Sequence, residues 1–426
     1  MYQEPSINPS LDNMKKACMA AGHPERAFSI IQITGTNGKT STSRIIEQLL
    51  IAEGVKTALY TSPALICETE RIRVVGTDIS KDELVAARTS AVEAAARVDL
   101  KLTDFEEMTL AMFIHLRNKK VDIAVVEVGM GGRWDATSAA NPAVAVITAL
   151  GLDHQEFLGE TVEEIGFDKS HIIKPGSSVI IGESIFHHPP HIADIFLNRA
   201  RNFGLHPRCV SSESFKVSSS SPLKTNFEAA TPHAQYTNLT VAGPAYQASN
   251  AATALFAAEA ALGRALDTDA ARKAIAKTTF PGRFEVVLKD KQTGKPKLIF
   301  DGSHNPAAIQ ILAELISEMT AETGEKPIIA LGILADKDAE TMIKTLAPVA
   351  AYFIAIESPS PRAIPVSELA ALIERLTGKK APSSVAQDIL NITGKQPVIV
   401  TGSLSLYPLL QSIRLCELDA YVEDTK

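Results

Sequence analysis

Short apolar runs alternate with segments of helical period through most of the chain, which predicts parallel sheets covered by helices. Residues 29–33 read as a buried strand. Residues 39–53 follow as a helix with Ile45, Ile46, Leu49 and Leu50 on one face and Gly54 ending it. Further strands are expected at 56–60, 121–128, 143–150 and 178–181. Ser80 with Glu83, and Thr161 with Glu164, match the capping-box pattern, and each pair should open a helix. Residues 204–245 break this rhythm. They are serine-rich from Ser211 to Ser221, with little periodicity, and read as irregular excursions or short antiparallel strands rather than a linker. After a turn-rich stretch at 289–296 the alternation resumes, with strands at 297–300, 327–331, 352–356 and 397–400. The pattern therefore describes two α/β units, the second smaller, with a boundary close to 283–296.

Composition narrows the class without changing that picture. At ~150 residues per domain, 426 residues make two to three domains, with two favoured. The chain holds 49 acidic and 42 basic residues, a net charge of −7, and so offers no positive field for nucleic acid or anionic lipid. No stretch approaches the ~20 apolar residues of a membrane span. The opening MYQEP lacks a charged-then-apolar signal, so the cytoplasm is expected. Cys18, Cys67, Cys209 and Cys416 are scattered without a CxxC pair, which argues against a zinc site or disulfide framework and agrees with a reducing compartment.

The sharpest motif is ITGTNGKT at 33–40, between the first strand and its helix. Small residues there let backbone amides close around phosphate oxygens, and the helix amino terminus adds partial positive charge. Lys39 would reach the terminal phosphates, and the Thr40 hydroxyl would bind Mg²⁺. The general phosphate-loop pattern wants glycine at position 33, where this chain has isoleucine, so the loop is a shortened variant. Other polar residues stand where strands end: Ser62, Glu127 and His154. Ligand sites in open parallel sheets lie beyond the carboxyl ends of the strands. A carboxylate on a buried strand is costly unless paired or metal-bound, which makes Glu127 the natural metal ligand. Spacing alone leaves His154 open, because Mg²⁺ prefers oxygen ligands and a polar histidine needs no metal.

Five segments carry a family resemblance: ITGTNGKTS (33–41), VVEVGMGGRWDAT (125–137), GLDHQEFLGETVEEIGFDKSHIIKPG (151–176), FPGR (280–283) and DGSHNP (301–306). Together they resemble folylpolyglutamate synthase, often bifunctional with dihydrofolate synthase in bacteria, within the wider Mur ligase family. SPALICETERI (62–72), GILADKD (332–338) and TGSLSL (401–406) extend the match along nearly the whole chain. The resemblance implies a large P-loop NTPase-like parallel-sheet domain (1–288) binding ATP and folate, followed by a smaller Rossmann-like α/β glutamate-ligase domain (289–426). It implies that Thr36, Asn37, Gly38, Lys39 and Thr40 bind ATP phosphates, with Asn250, Arg283 and Asp301 as further ATP contacts. Ser62, Glu127 and His154 look like Mg²⁺ ligands with Thr40. Lys169, in the segment that corresponds to EKAGI, is implied to be a CO₂-derived carbamate serving a second Mg²⁺. Thr103, Asp104, Phe105 and Glu106 are similar to the family's pterin-binding TxFE, with Asp135 also on the folate side. Thr103 and Glu106 equally form a capping box. His304 is a candidate for the glutamate side or the reaction centre.

The chain also departs from the family pattern. SPHL becomes Ser62-Pro63-Ala64-Leu65, FNERI becomes ETERI, DATN ends in Ser138, and Asp168, Ser170 and His171 surround the lysine. The implied reaction is amide ligation through an acyl phosphate, with ATP, L-glutamate and a reduced folate or dihydropteroate as substrates, in a monomer needing neither nucleic acid nor membrane. The alternatives are another Mur-type ligase acting on a peptidoglycan precursor and, from a different class, a phosphate-loop switch protein. The switch would need an NKxD motif, and Asn118-Lys119-Lys120-Val121-Asp122 places its Asp one position late.

Overall fold

The computed structural model describes residues 10–290, 293–384 and 396–410. These fall into two compact units. The first runs to Ser219 and includes Asn226–Val241 and Tyr246–Thr278. The second holds Ser220–Thr225, Ala242–Ala245 and the chain from Thr279 onward.

The first unit opens with α1 (Asp12–Ala20), β1 (Ser29–Thr34) and α2 (Lys39–Ala52). Next come β2 (Thr57–Tyr60), the hairpin β3 (Ile72–Val74) and β4 (Thr77–Asp78), α3 (Lys81–Ala96) and α4 (Asp104–Asn118). The alternation continues through β5 (Ile123–Glu127), β6 (Val144–Ile147), α5 (Gln155–Leu158), α6 (Val162–Lys169), β7 (Ser178–Ile181), α7 (Pro190–Asn202) and β8 (Arg208–Cys209). These strands form one sheet in the order β4-β3-β2-β5-β1-β6-β7-β8. From β2 to β8 all neighbours are parallel, and only β3 and β4 run antiparallel, at one edge. Strands 1, 5 and 6 are buried along nearly their whole length, as expected of a sheet covered on both faces.

Residues 204–245, which show little periodicity, contain β9 (Phe215–Ser221), β10 (Lys224–Ala230) and β11 (Gln235–Ala242) in a separate three-stranded sheet. Two helices, α8 (Tyr246–Leu262) and α9 (Thr268–Lys277), complete the first unit. A cluster built on Val128, Ile147, Ile165, Ile172, Ile173 and Phe196 forms one part of its core. Ile165, Ile172 and Ile173 have no exposed surface. At ~1.5–3 kcal/mol for each buried aliphatic side chain, these anchors carry the intervening Lys169 into the interior with them.

The second unit comprises β12 (Glu285–Lys289), β13 (Pro296–Phe300), α10 (Pro306–Thr323), β14 (Ile328–Leu331), α11 (Ala339–Leu346), β15 (Phe353–Ile356), α12 (Val366–Thr377), β16 (Ser383–Ser384) and β17 (Val398–Thr401). Its sheet order is β12-β13-β17-β14-β15-β16, parallel except for β12. Cys18, Cys67 and Cys209 are free thiols, and Cys416 lies outside the described residues. Among the described residues no helix is long and apolar enough to cross a membrane.

Candidate active site

The turn from β1 to α2 is built from Gly35, Thr36, Asn37 and Gly38. Gly38 sits at φ +82°, and a Cβ there would lie 2.7 Å from Asn250 Oδ1, so both backbone angle and space require glycine. The segment after β6 braces the turn. The Thr148 hydroxyl donates to the Asn37 carbonyl at 2.7 Å, the Thr36 N–H to the Ala149 carbonyl at 2.7 Å, and the Thr36 hydroxyl to the Gly151 carbonyl at 3.0 Å. Asn250, on α8, donates to Gln247 at 3.0 Å, and Gln247 in turn reaches the Ser41 hydroxyl at 3.4 Å. No side chain caps α2. Its first-turn N–H groups and the positive end of its dipole therefore form an anion-binding end. The Lys39 ammonium lies over the loop, donating to the carbonyls of Gly35 and Thr36 at 2.8 and 3.1 Å.

Glu127 is the last residue of β5, beside Ile33 in the register, and is 1% exposed. The Thr40 hydroxyl lies 3.0 Å from both of its carboxylate oxygens. Ser62 stands two residues past β2, the strand that pairs with β5 on the side away from β1, and its bond to Pro63 is cis. One pocket gathers Gly35, Thr36 and Lys39 from the loop, Gly129–Gly131 from the segment that follows Glu127, Asp153, His154 and Lys169. His154 has left-handed backbone at φ +52°, its N–H bound by Asp153 Oδ1 at 3.0 Å. Lys169, 4% exposed, donates to the Gly35 carbonyl at 3.2 Å. Burial first, and then the nearby Lys39 charge, push its pKa down to about 7, against opposing pull from Asp168, Asp153 and Asp135. The shift favours the neutral, nucleophilic form of the amine.

The expected folate residues are engaged within the protein. Thr103 caps α4, with its N–H and hydroxyl both 2.9 Å from the Glu106 carboxylate and its hydroxyl accepting the Glu106 N–H at 3.3 Å. Asp104 pairs with Arg88 at 2.5 Å. The Phe105 ring lies 6.5 Å from that of Tyr60, and the buried Arg71 guanidinium sits 5.5 and 5.6 Å from the two ring centres. Asp135 accepts from the Met130 N–H at 3.0 Å and the Thr137 hydroxyl at 2.5 Å; burial raises its pKa, and these bonds oppose that rise. It therefore holds the glycine segment in place.

Arg283, Asp301 and His304 belong to the second unit. Asp301, 4% exposed, accepts the Phe284 and Ser303 N–H groups at 2.8 and 3.0 Å. His304 Nδ1 bonds the Gly302 carbonyl at 2.7 Å, while Asn305, not His304, caps α10.

Asp153 lines the pocket although the sequence reading did not single it out; its position directly ahead of His154 was the available signal. Asp168, which accepts the Arg133 N–H at 3.2 Å, and Thr34, whose hydroxyl donates to the Gly131 carbonyl at 2.6 Å, tie the glycine segment to α6 and β1. No local pattern marks either of them.

Known proteins match this chain along most of its length. The Mur ligase middle domain matches residues 33–258, and the Mur ligase glutamate ligase domain matches residues 282–403. The dihydrofolate synthase/folylpolyglutamate synthase of Mycobacterium tuberculosis is 32% identical over 402 residues, 87% of this chain and 78% of that protein. A folylpolyglutamate synthase from the same organism, solved with ADP and AMPPCP, superimposes with a TM-score of 0.84 at 28% identity, covering 95% of each chain. A bifunctional folylpolyglutamate synthase/dihydrofolate synthase solved with Mn, AMPPNP and L-glutamate gives 0.80 at 26% identity, covering 96% and 95%.

Proposed function

The chain belongs to the Mur ligase family, within its folylpolyglutamate synthase/dihydrofolate synthase branch, and on that premise we propose how its residues divide the work of an ATP-dependent ligase joining L-glutamate to a folate. The observation that carries the reading is the single pocket in which the phosphate loop, the segment after Glu127, His154 and Lys169 converge. The first compact unit holds ATP and folate, and the second, which includes the chain from Thr279 onward and all of β12, forms the glutamate-ligase part. One copy suffices, in the cytoplasm, with small molecules as the only substrates.

The α2 amides and Lys39 hold the ATP phosphates through Thr36–Thr40, with Asn250, Arg283 and Asp301 as further nucleotide contacts. A carboxylate oxygen of the acceptor attacks the γ-phosphorus, ADP leaves, and an acyl phosphate forms. The glutamate amine then attacks the activated carbonyl, loses a proton and expels phosphate. Lys39 balances the charge spread over the transferring oxygens. His304 serves the glutamate side.

The donor set suits a hard divalent ion. A buried carboxylate stands against a hydroxyl at 3.0 Å, and both are oxygen donors of the kind such an ion prefers. Thr40, Ser62, Glu127 and His154 would hold it, and Lys169 as a carbamate would add a carboxylate for a second ion. When bound, the ion supplies neutralisation of phosphate charge. The lowered pKa of Lys169 supports carbamylation, because only the neutral amine adds to CO₂. Thr103–Glu106 and Asp135 shape the folate side.

The test is ATP turnover by the purified chain. Phosphate release should require both L-glutamate and a pteridine carboxylate, with ADP as the other product. Dihydropteroate and tetrahydrofolate, compared as acceptors, report which steps it performs. AMP and pyrophosphate as products would overturn the acyl-phosphate route.

A further inference from the structure

The wall of the pocket continues onto a surface that stands out in an acidic chain. Gly131 lines the pocket, and Gly132 packs so closely on α6 that an added Cβ would lie 2.8 Å from the Lys169 carbonyl oxygen and 3.1 Å from Ile172. Arg133 comes next and is exposed. Its guanidinium carbon lies 4.6 Å from the ring centre of Trp134, itself 42% exposed. His171, between Lys169 and Ile172, sets its ring edge-on to Phe167 at 4.9 Å. Arg199 donates to the Ile173 carbonyl at 3.2 Å and lies 5.5 Å from the Phe203 ring centre. Among the described residues neither arginine has a carboxylate ion-pair partner. Burial, and then the Arg133 charge, disfavour the charged form of Arg199. An anion placed between them would relieve that repulsion.

We propose that this basic and aromatic surface receives the glutamyl tail of the acceptor, with Arg133 and Arg199 binding its free carboxylates. The inference rests on the ligase reading above. Each glutamate brings two carboxyl groups, and the next round of ligation consumes one as an amide, so one ionised carboxylate remains per residue. The growing tail is therefore a polyanion, repelled by most of a chain of net charge −7. A guanidinium stacked on a ring keeps its N–H edge directed outward, where it meets a carboxylate bidentately. The exposed rings of Trp134, Phe167 and Phe203 offer apolar surface to the methylenes between carboxylates. Continuity with Gly131 places the start of this surface at the pocket itself.

The experiment compares acceptors carrying one and four glutamates, using the full chain and the exposed Arg133→Gln variant, with folding confirmed by thermal midpoint. KM for the four-glutamate acceptor should rise about tenfold in the variant with kcat retained, while KM for the one-glutamate acceptor stays within about twofold. Added salt should weaken the long acceptor in the wild type and affect the variant less. Arg199→Gln should repeat the effect, and Arg199→Lys should restore it only in part, because an ammonium keeps the charge but loses the bidentate edge. Calorimetric titration with each acceptor reads the same preference without turnover. An unchanged KM for the long acceptor, or an equal rise for both, would overturn the proposal. Turnover of the one-glutamate acceptor by wild type reports separately on the ligase reading.

Discussion

Glu127 is the side chain on which the proposed metal site turns, because a carboxylate with 1% exposure is costly unless paired or metal-bound. Glu127→Gln keeps the shape and removes the charge. Turnover should fall at least ~10²-fold, with the thermal midpoint near wild type; steady-state rates across a Mg²⁺ series check this. Lys169→Ala should be nearly inactive and partly rescued by small carboxylates, and wild-type activity should fall when CO₂ and bicarbonate are removed. Lys174 offers a pH test away from catalysis. Its ammonium donates to the carbonyls of Ser138 and Ala140, and burial, ahead of the charges of Lys15 and Arg199, pushes its pKa down to about 8. From about pH 8 to about pH 10.5 the unfolded chain binds more protons at this position than the folded one, so its contribution to stability rises with pH across that window. Urea unfolding at both ends of the window should show wild type gaining on Lys174→Met as pH rises. Of these residues Glu127 was legible as a polar break in an apolar strand. Asp168 and Thr34 were not, since the bonds that give them a role join segments distant in sequence.

Among the elements, α4 opens on the Thr103–Glu106 pair, where a cap and a proposed substrate contact coincide. Thr103→Ala should cost ~1 kcal/mol in chemical denaturation, and Thr103→Ser should recover it. A raised acceptor KM in the stable serine variant would assign the threonine methyl a place in binding. The capping boxes at Ser80, Thr103 and Thr161 were all readable, because three-residue spacing fixes both partners at once. Strand β9 was legible only as one of two alternatives for its stretch, irregular chain or short strand, because its residues are mostly exposed and alternate weakly. Its neighbour β10 does alternate, burying Thr225, Phe227 and Ala229, but two of these three are small or polar side chains that carry little hydrophobic signal.

At the scale of the molecule, the longer parallel strands were legible because both faces are covered and their residues are mostly apolar, whereas the two-residue β8 and β16 were not. The antiparallel edge at β3 and β4 was not, since strands of three and two residues are too short to show a period. The whole chain holds one tryptophan, Trp134, three residues on from Gly131 in the wall of the pocket and stacked by Arg133. Its indole is therefore a built-in optical reporter. Excitation selective for indole lights only this point of the molecule, and a pteridine bound nearby would absorb its emission. Fluorescence titration of the unlabelled protein should show quenching by the acceptor, and Trp134→Leu should abolish the signal. Acceptor engagement can then be followed in real time without a dye.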